Sequence, residues 1–146
     1  MQYNELKGSC HCGNIYFVLE WPGPCDTIPA RRCGCSFCQK HGGVWTSSDS
    51  AVLDVSVIDS SLVSRYRFGT ETADFHVCSR CGCAPLVTSE IDGTCYAVIN
   101  VNMLEGIERS VLAESPTDFD GEDTGARLDR RKRNWIPQVR IRQPQS

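Results

Sequence analysis

The sequence predicts an all-β domain of about eight short strands. Three observations carry that expectation. Runs rich in β-formers, several of them strictly alternating, recur between turn signals. Helical periodicity is sparse. Seven of the ten cysteines sit in three tight clusters, Cys10-His11-Cys12-Gly13, Cys33-Gly34-Cys35-Ser36-Phe37-Cys38 and Cys78-Ser79-Arg80-Cys81-Gly82, a pattern suited to turns at strand ends.

In chain order, Asn14 to Glu20 (NIYFVLE) is the first predicted strand, stopped by Trp21-Pro22-Gly23-Pro24. Ser36 is placed to cap a short helical turn over Phe37 to His41, ended by Gly42-Gly43. Gly43 to Ser48 is short and β-prone. Ala51 to Ile58 alternates, with Leu53, Val55 and Val57 on one face and Asp54 and Ser56 on the other. Leu62 to Phe68 puts Leu62, Ser64, Tyr66 and Phe68 opposite Val63, Arg65 and Arg67. Asp74 to Val77 leads into the third cysteine cluster, and Pro85 to Ser89 and Cys95 to Val101 read as further strands. Asp59-Ser60-Ser61, Gly69-Thr70 and Asp92-Gly93 mark turns, and Asn102 to Gly106 reads as another helical turn. The last quarter changes character. Glu114 to Asp123 is acidic, Gly125 to Arg133 basic, and the tail carries Pro137 and Pro144. It reads as irregular chain packed through Phe119, Leu128, Trp135 and Ile136.

The 146 residues suit one domain, spanning residues 1–146, with a core at about 8–121 and a C-terminal extension over 122–146 packed on it. The net charge of -3 gives no reason to expect nucleic acid or an anionic membrane as partner. No apolar run approaches the roughly 18 residues of a membrane span, and Met1 to Lys7 has no apolar stretch of the secretory kind. The expectation is a cytoplasmic protein. In a reducing compartment clustered thiols are metal ligands or catalysts rather than disulfides, and a CxC loop is too short to close without strain.

Paired thiols at CxC and CxxC spacing suit one tetrahedral zinc. Cys12 and Cys81 are each followed by glycine, which lets the backbone turn so that N–H groups point at sulfur. Cys10, Cys12, Cys78 and Cys81 are therefore expected to share a structural zinc, with Cys83 the alternative to Cys78. Cys33, Cys35 and Cys38 can reach one further ion and leave its fourth place open, the arrangement of a reactive zinc. The opposing reading is a second structural zinc closed by His41, Cys25, Cys83 or Cys95. Arg31, Arg32 and Lys40 flank this trio and could hold an anionic substrate, or be solvated surface charges. Phe37 and Trp45 could line a pocket, or be plain core. His11 is expected to point away, and His76 to share a strand face with Cys78.

These cysteines, in this order, resemble the glutathione-dependent formaldehyde-activating enzyme family, which also includes centromere protein V. The matching stretches are Gly8 to Gly13, Cys33 to Lys40, Tyr66-Arg67-Phe68-Gly69 and Phe75 to Gly82, and the resemblance runs from about Gly8 to about Gly121. It implies an all-β fold of the β-tent type, with small sheets around a four-cysteine structural zinc at Cys10, Cys12, Cys78 and Cys81. It implies a catalytic zinc at Cys33, Cys35 and Cys38, hence two zinc ions per chain. It further implies condensation of glutathione with formaldehyde to S-hydroxymethylglutathione, a carbon–sulfur lyase reaction in reverse. The partners are then a small thiol and a small electrophile. Three positions depart from the family pattern: Gly34, His41 and the extra thiol Cys83. A second hypothesis is a non-catalytic binding module with two structural zinc sites. Its local support is the basic run Arg127, Arg130, Arg131, Lys132 and Arg133, which Asp129 interrupts and which Glu114, Asp118, Asp120, Glu122 and Asp123 neutralise. A redox or metal-buffering role is a third.

Overall fold

The computed structural model describes residues 3–119 and 121–144, and the fold is mostly β-sheet. Among the described residues, twelve strands and two α-helices are joined by three short 3-10 turns. A five-stranded sheet has the order β10-β1-β2-β5-β12, built from β1 (Tyr3–Ser9), β2 (Ile15–Pro22), β5 (Val52–Val57), β10 (Leu104–Glu105) and β12 (Gln138–Arg142). A seven-stranded sheet has the order β11-β3-β4-β9-β8-β7-β6. Its strands are β3 (Ile28–Cys33), β4 (Val44–Thr46), β6 (Val63–Tyr66), β7 (Asp74–Cys78), β8 (Leu86–Ile91), β9 (Thr94–Asn100) and β11 (Leu112–Thr117).

Alternation decides which faces meet. On β2, Ile15, Phe17, Leu19 and Trp21 are buried, and on β5 Leu53, Val55 and Val57 are buried, with Leu19 opposite Leu53 and Phe17 opposite Val55. This stripe forms one core with Leu6, Ile28, Leu86, Ile99 and Ile136. Strands β8 and β9 are buried along most of their length, so they read as apolar runs rather than as alternation. They are joined through Asp92-Gly93, both at positive φ (52° and 81°), the two-residue hairpin turn that such a dipeptide favours. A second, smaller core gathers Cys38, Trp45, Val87, Val98 and Trp135.

Several expectations are corrected. Tyr3–Ser9, Ile28–Cys33, Leu112–Thr117 and Gln138–Arg142 are strands that composition did not announce. The expected turn at Asn102 to Gly106 is a 3-10 turn at Val101–Met103 followed by β10. The last quarter is not irregular. Thr124–Asn134 is a helix, α2, and β12 joins β5 in parallel, Val139 beside Leu53 and Ile141 beside Val55. Trp135 and Ile136 are buried as expected, and Ile136 makes an antiparallel bridge with Ala97, whereas Phe119 and Leu128 are half-buried. Among the described residues no helix is long and apolar enough to cross a membrane.

Candidate metal centres and cavity

The seven clustered cysteines form two groups. In the first, the sulfurs of Cys10, Cys12, Cys78 and Cys81 all lie within 4.8 Å of one another. Cys10 and Cys12 come from the turn between β1 and β2, and Cys78 ends β7, so the group joins the two sheets. The Cys10–Cys12 and Cys12–Cys78 sulfur separations are 3.8 and 3.5 Å. Tetrahedral zinc with bonds of about 2.3 Å holds its sulfurs about 3.8 Å apart, and these two separations match that spacing. The Ile15 N–H donates to Cys10 Sγ at 3.3 Å. Burial pushes the Cys10 thiol up to about 12. At Cys81 burial acts the same way, but backbone N–H groups of Cys12 and Cys83 and the neighbouring thiols outweigh it and bring the group down to about 6. Cys83 stands outside this group, and its carbonyl accepts from the Cys78 N–H.

In the second group the sulfurs of Cys33, Cys35 and Cys38 lie within 4.8 Å of one another. Cys33 ends β3. The six-residue helix α1 (Ser36–His41) supplies the other two. Its N-cap is Cys35, not Ser36: the Cys35 sulfur accepts from the Cys38 N–H at 3.4 Å. The helix stops at Gly42, which takes a left-handed conformation (φ 78°) and returns its N–H to the Cys38 carbonyl at 2.7 Å. Gly34 lies against β11, where its N–H donates to the Thr117 carbonyl at 2.9 Å and a Cβ would come within 3.2 Å of that oxygen. A side chain here would need that carbonyl to give by a few tenths of an ångström. Trp45 Nε1 donates to Cys38 Sγ at 3.3 Å. The Cys38 thiol in turn hydrogen-bonds Cys33, which lowers Cys33 to about 6 and raises Cys38.

This trio lines a cavity of about 290 Å³. Trp45, Phe75, Phe119 and Trp135 supply aromatic wall, and Arg31, Arg127, Arg130 and Arg131 supply cations. Of the flanking cations named from the sequence, Arg31 lines the cavity, Arg32 is exposed and pairs with Glu114 at 3.7 Å, and Lys40 is exposed. Phe37 joins an aromatic cluster with His41, Tyr66, Phe68 and Phe75. Among the described residues, His41 does not join the trio. Its ring stacks on Phe37 at 5.2 Å, and burial lowers its pKa. Cys25, Cys83 and Cys95 are likewise outside the group. His11 is exposed. His76 shares the buried face of β7 with Cys78, meets Thr88 Oγ1 at 2.8 Å, and is driven by burial down to about 4.

The basic run is the feature whose place the sequence reading missed. Arg127, Arg130 and Arg131 are spaced i, i+3 and i+4, which puts them on one side of α2. They meet the cavity there, while Lys132 pairs with Asp92 and Asp129. Of the acidic residues, Glu122 pairs with Arg127 and Arg130, and Asp123 caps α2 by accepting from the Ala126 N–H at 2.7 Å. Asp120 lies outside the described residues.

Fold and site together define a small β-protein with a four-thiol staple and a separate thiol trio open to a cavity. The chain belongs to the glutathione-dependent formaldehyde-activating enzyme family, whose pattern matches residues 5–116. A Halomonas elongata protein provisionally named as a glutathione-dependent formaldehyde-activating enzyme is 34% identical over 86 residues, covering 54% of this chain and 53% of that protein. The chain thus spans about half the length of that curated relative. A crystal structure of a Rhodobacter sphaeroides protein superposes with a TM-score of 0.57 at 33% identity, covering 75% of this chain and 97% of that one.

Proposed function

We propose that this chain is a carbon–sulfur lyase type enzyme that adds a small thiol, such as glutathione, to formaldehyde or a related electrophile at Cys33, Cys35 and Cys38. The observation that carries this reading is the trio itself. Three sulfurs converge beside a cavity, and no fourth protein donor belongs to their group among the described residues. Sulfur donors suit zinc, and we assign one zinc to this trio and a second, structural one to Cys10, Cys12, Cys78 and Cys81. A zinc held by the trio would supply a Lewis-acidic open place that favours the thiolate form of an incoming thiol or polarises a carbonyl oxygen.

The chain's own residues do the rest. Cys33, Cys35 and Cys38 would hold the ion from the end of β3 and the first turn of α1. Trp45 fixes the Cys38 sulfur through its indole N–H. Trp45, Phe75, Phe119 and Trp135 give the cavity beside the trio an aromatic lining. In the addition, the thiol S–H and the carbonyl π bond break, a sulfur–carbon bond forms, and the thiol proton ends on the former carbonyl oxygen. All ten cysteines are free of disulfides, which supports a reducing compartment such as the cytoplasm.

The test is exchange NMR of glutathione with formaldehyde, comparing the zinc-loaded protein with Cys35→Ser. The reading expects faster exchange than in buffer, lost in the variant. If the fully zinc-loaded protein leaves the exchange of glutathione with formaldehyde and other small aldehydes at the buffer rate, the enzyme reading fails, and the binding module takes its place.

A further inference from the structure

Helix α2 lies beyond the matched residues 5–116, yet it supplies three of the four arginines around the cavity. The four guanidinium groups are held in place by different means. Arg31 donates to Ser47 Oγ at 3.1 Å, and Ser47 donates to the Asn134 carbonyl at 2.8 Å, which ties β3 to the end of α2. Arg130 lies 3.6 Å over the Phe119 ring and pairs with Glu122 at 3.1 Å. Arg131 is only 6% exposed; it donates to Thr72 Oγ1 at 2.8 Å and Ser89 Oγ at 3.1 Å, and stacks on Trp135. Arg127 donates from Nη2 to the Phe119 carbonyl at 3.1 Å, while its Nε lies 3.8 Å from Glu122, beyond hydrogen-bond range.

Packing like charges this way is unfavourable. Burial, then Arg130 and Arg127, lowers Arg131 to about 10, and burial followed by Arg130 lowers Arg31. Arg127 Nε and Arg131 Nε are buried without a hydrogen-bond partner. Such groups are costly unless something satisfies them. An arginine fork matches a carboxylate in charge and in geometry. The cavity, about 290 Å³, is of the size that takes a small ligand.

We propose that Arg31, Arg127, Arg130 and Arg131 form an anion-recognition wall that makes this chain selective for substrates bearing free carboxylates, with Arg130 its central specificity-determining residue. The inference rests on the reading that the thiol substrate reacts at Cys33, Cys35 and Cys38, which line the same cavity as that wall. Arg130 lines the cavity between its neighbours Arg127 and Arg131 on α2, and its guanidinium is fixed there by the Phe119 ring on one side and Glu122 on the other.

The experiment is calorimetric titration of the zinc-loaded protein with S-methylglutathione, whose thiol is blocked and whose carboxylates are free, and with its diethyl ester. The acid is expected to bind at least tenfold more tightly than the ester, and more weakly as salt is raised. Arg130→Met, which keeps an apolar contact with Phe119, is expected to weaken the acid at least tenfold and leave the ester unchanged. Arg32→Met, on the exposed side of β3, is expected to change neither. Equal affinity of acid and ester, no measurable binding of the acid, or an unaltered Arg130→Met overturns the wall. If Arg130→Met does not fold, the acid-against-ester comparison on the unaltered protein decides alone. Carboxylate-dependent binding without thiol addition leaves the wall standing and removes the proposed reaction. Equal turnover of glutathione and its diester does the reverse.

Discussion

Cys35 has two tasks within one side chain: it caps α1 and it is the middle donor of the trio. Serine can still cap a helix but is a poor substitute for a thiolate donor. Cys35→Ser is therefore expected to lower bound zinc from two equivalents to one while thermal unfolding moves little, as read by metal analysis alongside circular dichroism. Gly8 shows the opposite kind of constraint, purely steric. A Cβ there would collide with the Phe17 ring and come within 2.7 Å of the Met103 carbonyl oxygen. Phe17 is buried and Met103 offers backbone, so neither yields cheaply, and Gly8→Ala is expected to cost about 1–3 kcal/mol in a urea titration. The thiol groups were legible because cysteines able to share one metal ion come at short, recognisable spacings, and the structure brings those same cysteines together. His41 was not: spacing alone placed it within reach of the trio, while its ring stacks on Phe37 and its nitrogens stay outside the group of three sulfurs.

At the scale of elements, β2 and β5 were readable because each buries one face, so alternation in the chain mirrors alternation in space. Strand β3 (IPARRC) and strand β11 (LAESPT) were not, because proline, charge and polar side chains mask pairing that is mainly backbone to backbone. Helix α2 was hidden for a related reason. Its buried residue is Arg131, so its inward face is written in arginines and no apolar stripe announces it. That helix depends on its cap. Asp123→Ala removes the acceptor of the Ala126 N–H and is expected to cost about 0.5–2 kcal/mol in denaturant. The strand after it has a larger effect. Val139 and Ile141 pack on the main core, and β12 covers the edge of β5. Truncation after Pro137 is expected to leave β5 as an open edge and to give a protein that unfolds at lower temperature and aggregates, measured by light scattering during a thermal ramp.

Across the whole molecule, the two thiol groups differ in what their loss should do. The first ties the turn after β1 to the end of β7, with Cys12 and Cys78 66 positions apart, and so joins one sheet to the other. The second is assembled within one strand end and one helical turn, and closes no long loop. Zinc binding by four thiolates contributes on the order of 10 kcal/mol to folding in small zinc domains, comparable with the roughly 5–15 kcal/mol that is a whole domain's stability. The four-thiol ion is therefore expected to be a condition of the fold, and the three-thiol ion an addition to it. Titration with a strong chelator should then proceed in two stages. The first equivalent of zinc should leave from Cys33, Cys35 and Cys38, where one fewer protein donor holds it, with near-ultraviolet dichroism essentially retained. The second should leave together with the tertiary signal. Cys33→Ser should remove the first stage only, and Cys10→Ser should give a chain that does not reach the native signal with zinc present. Loss of tertiary structure with the first equivalent would reverse the assignment of the two groups. The trio would then be the one on which the sheets depend, despite the short stretch of chain that builds it.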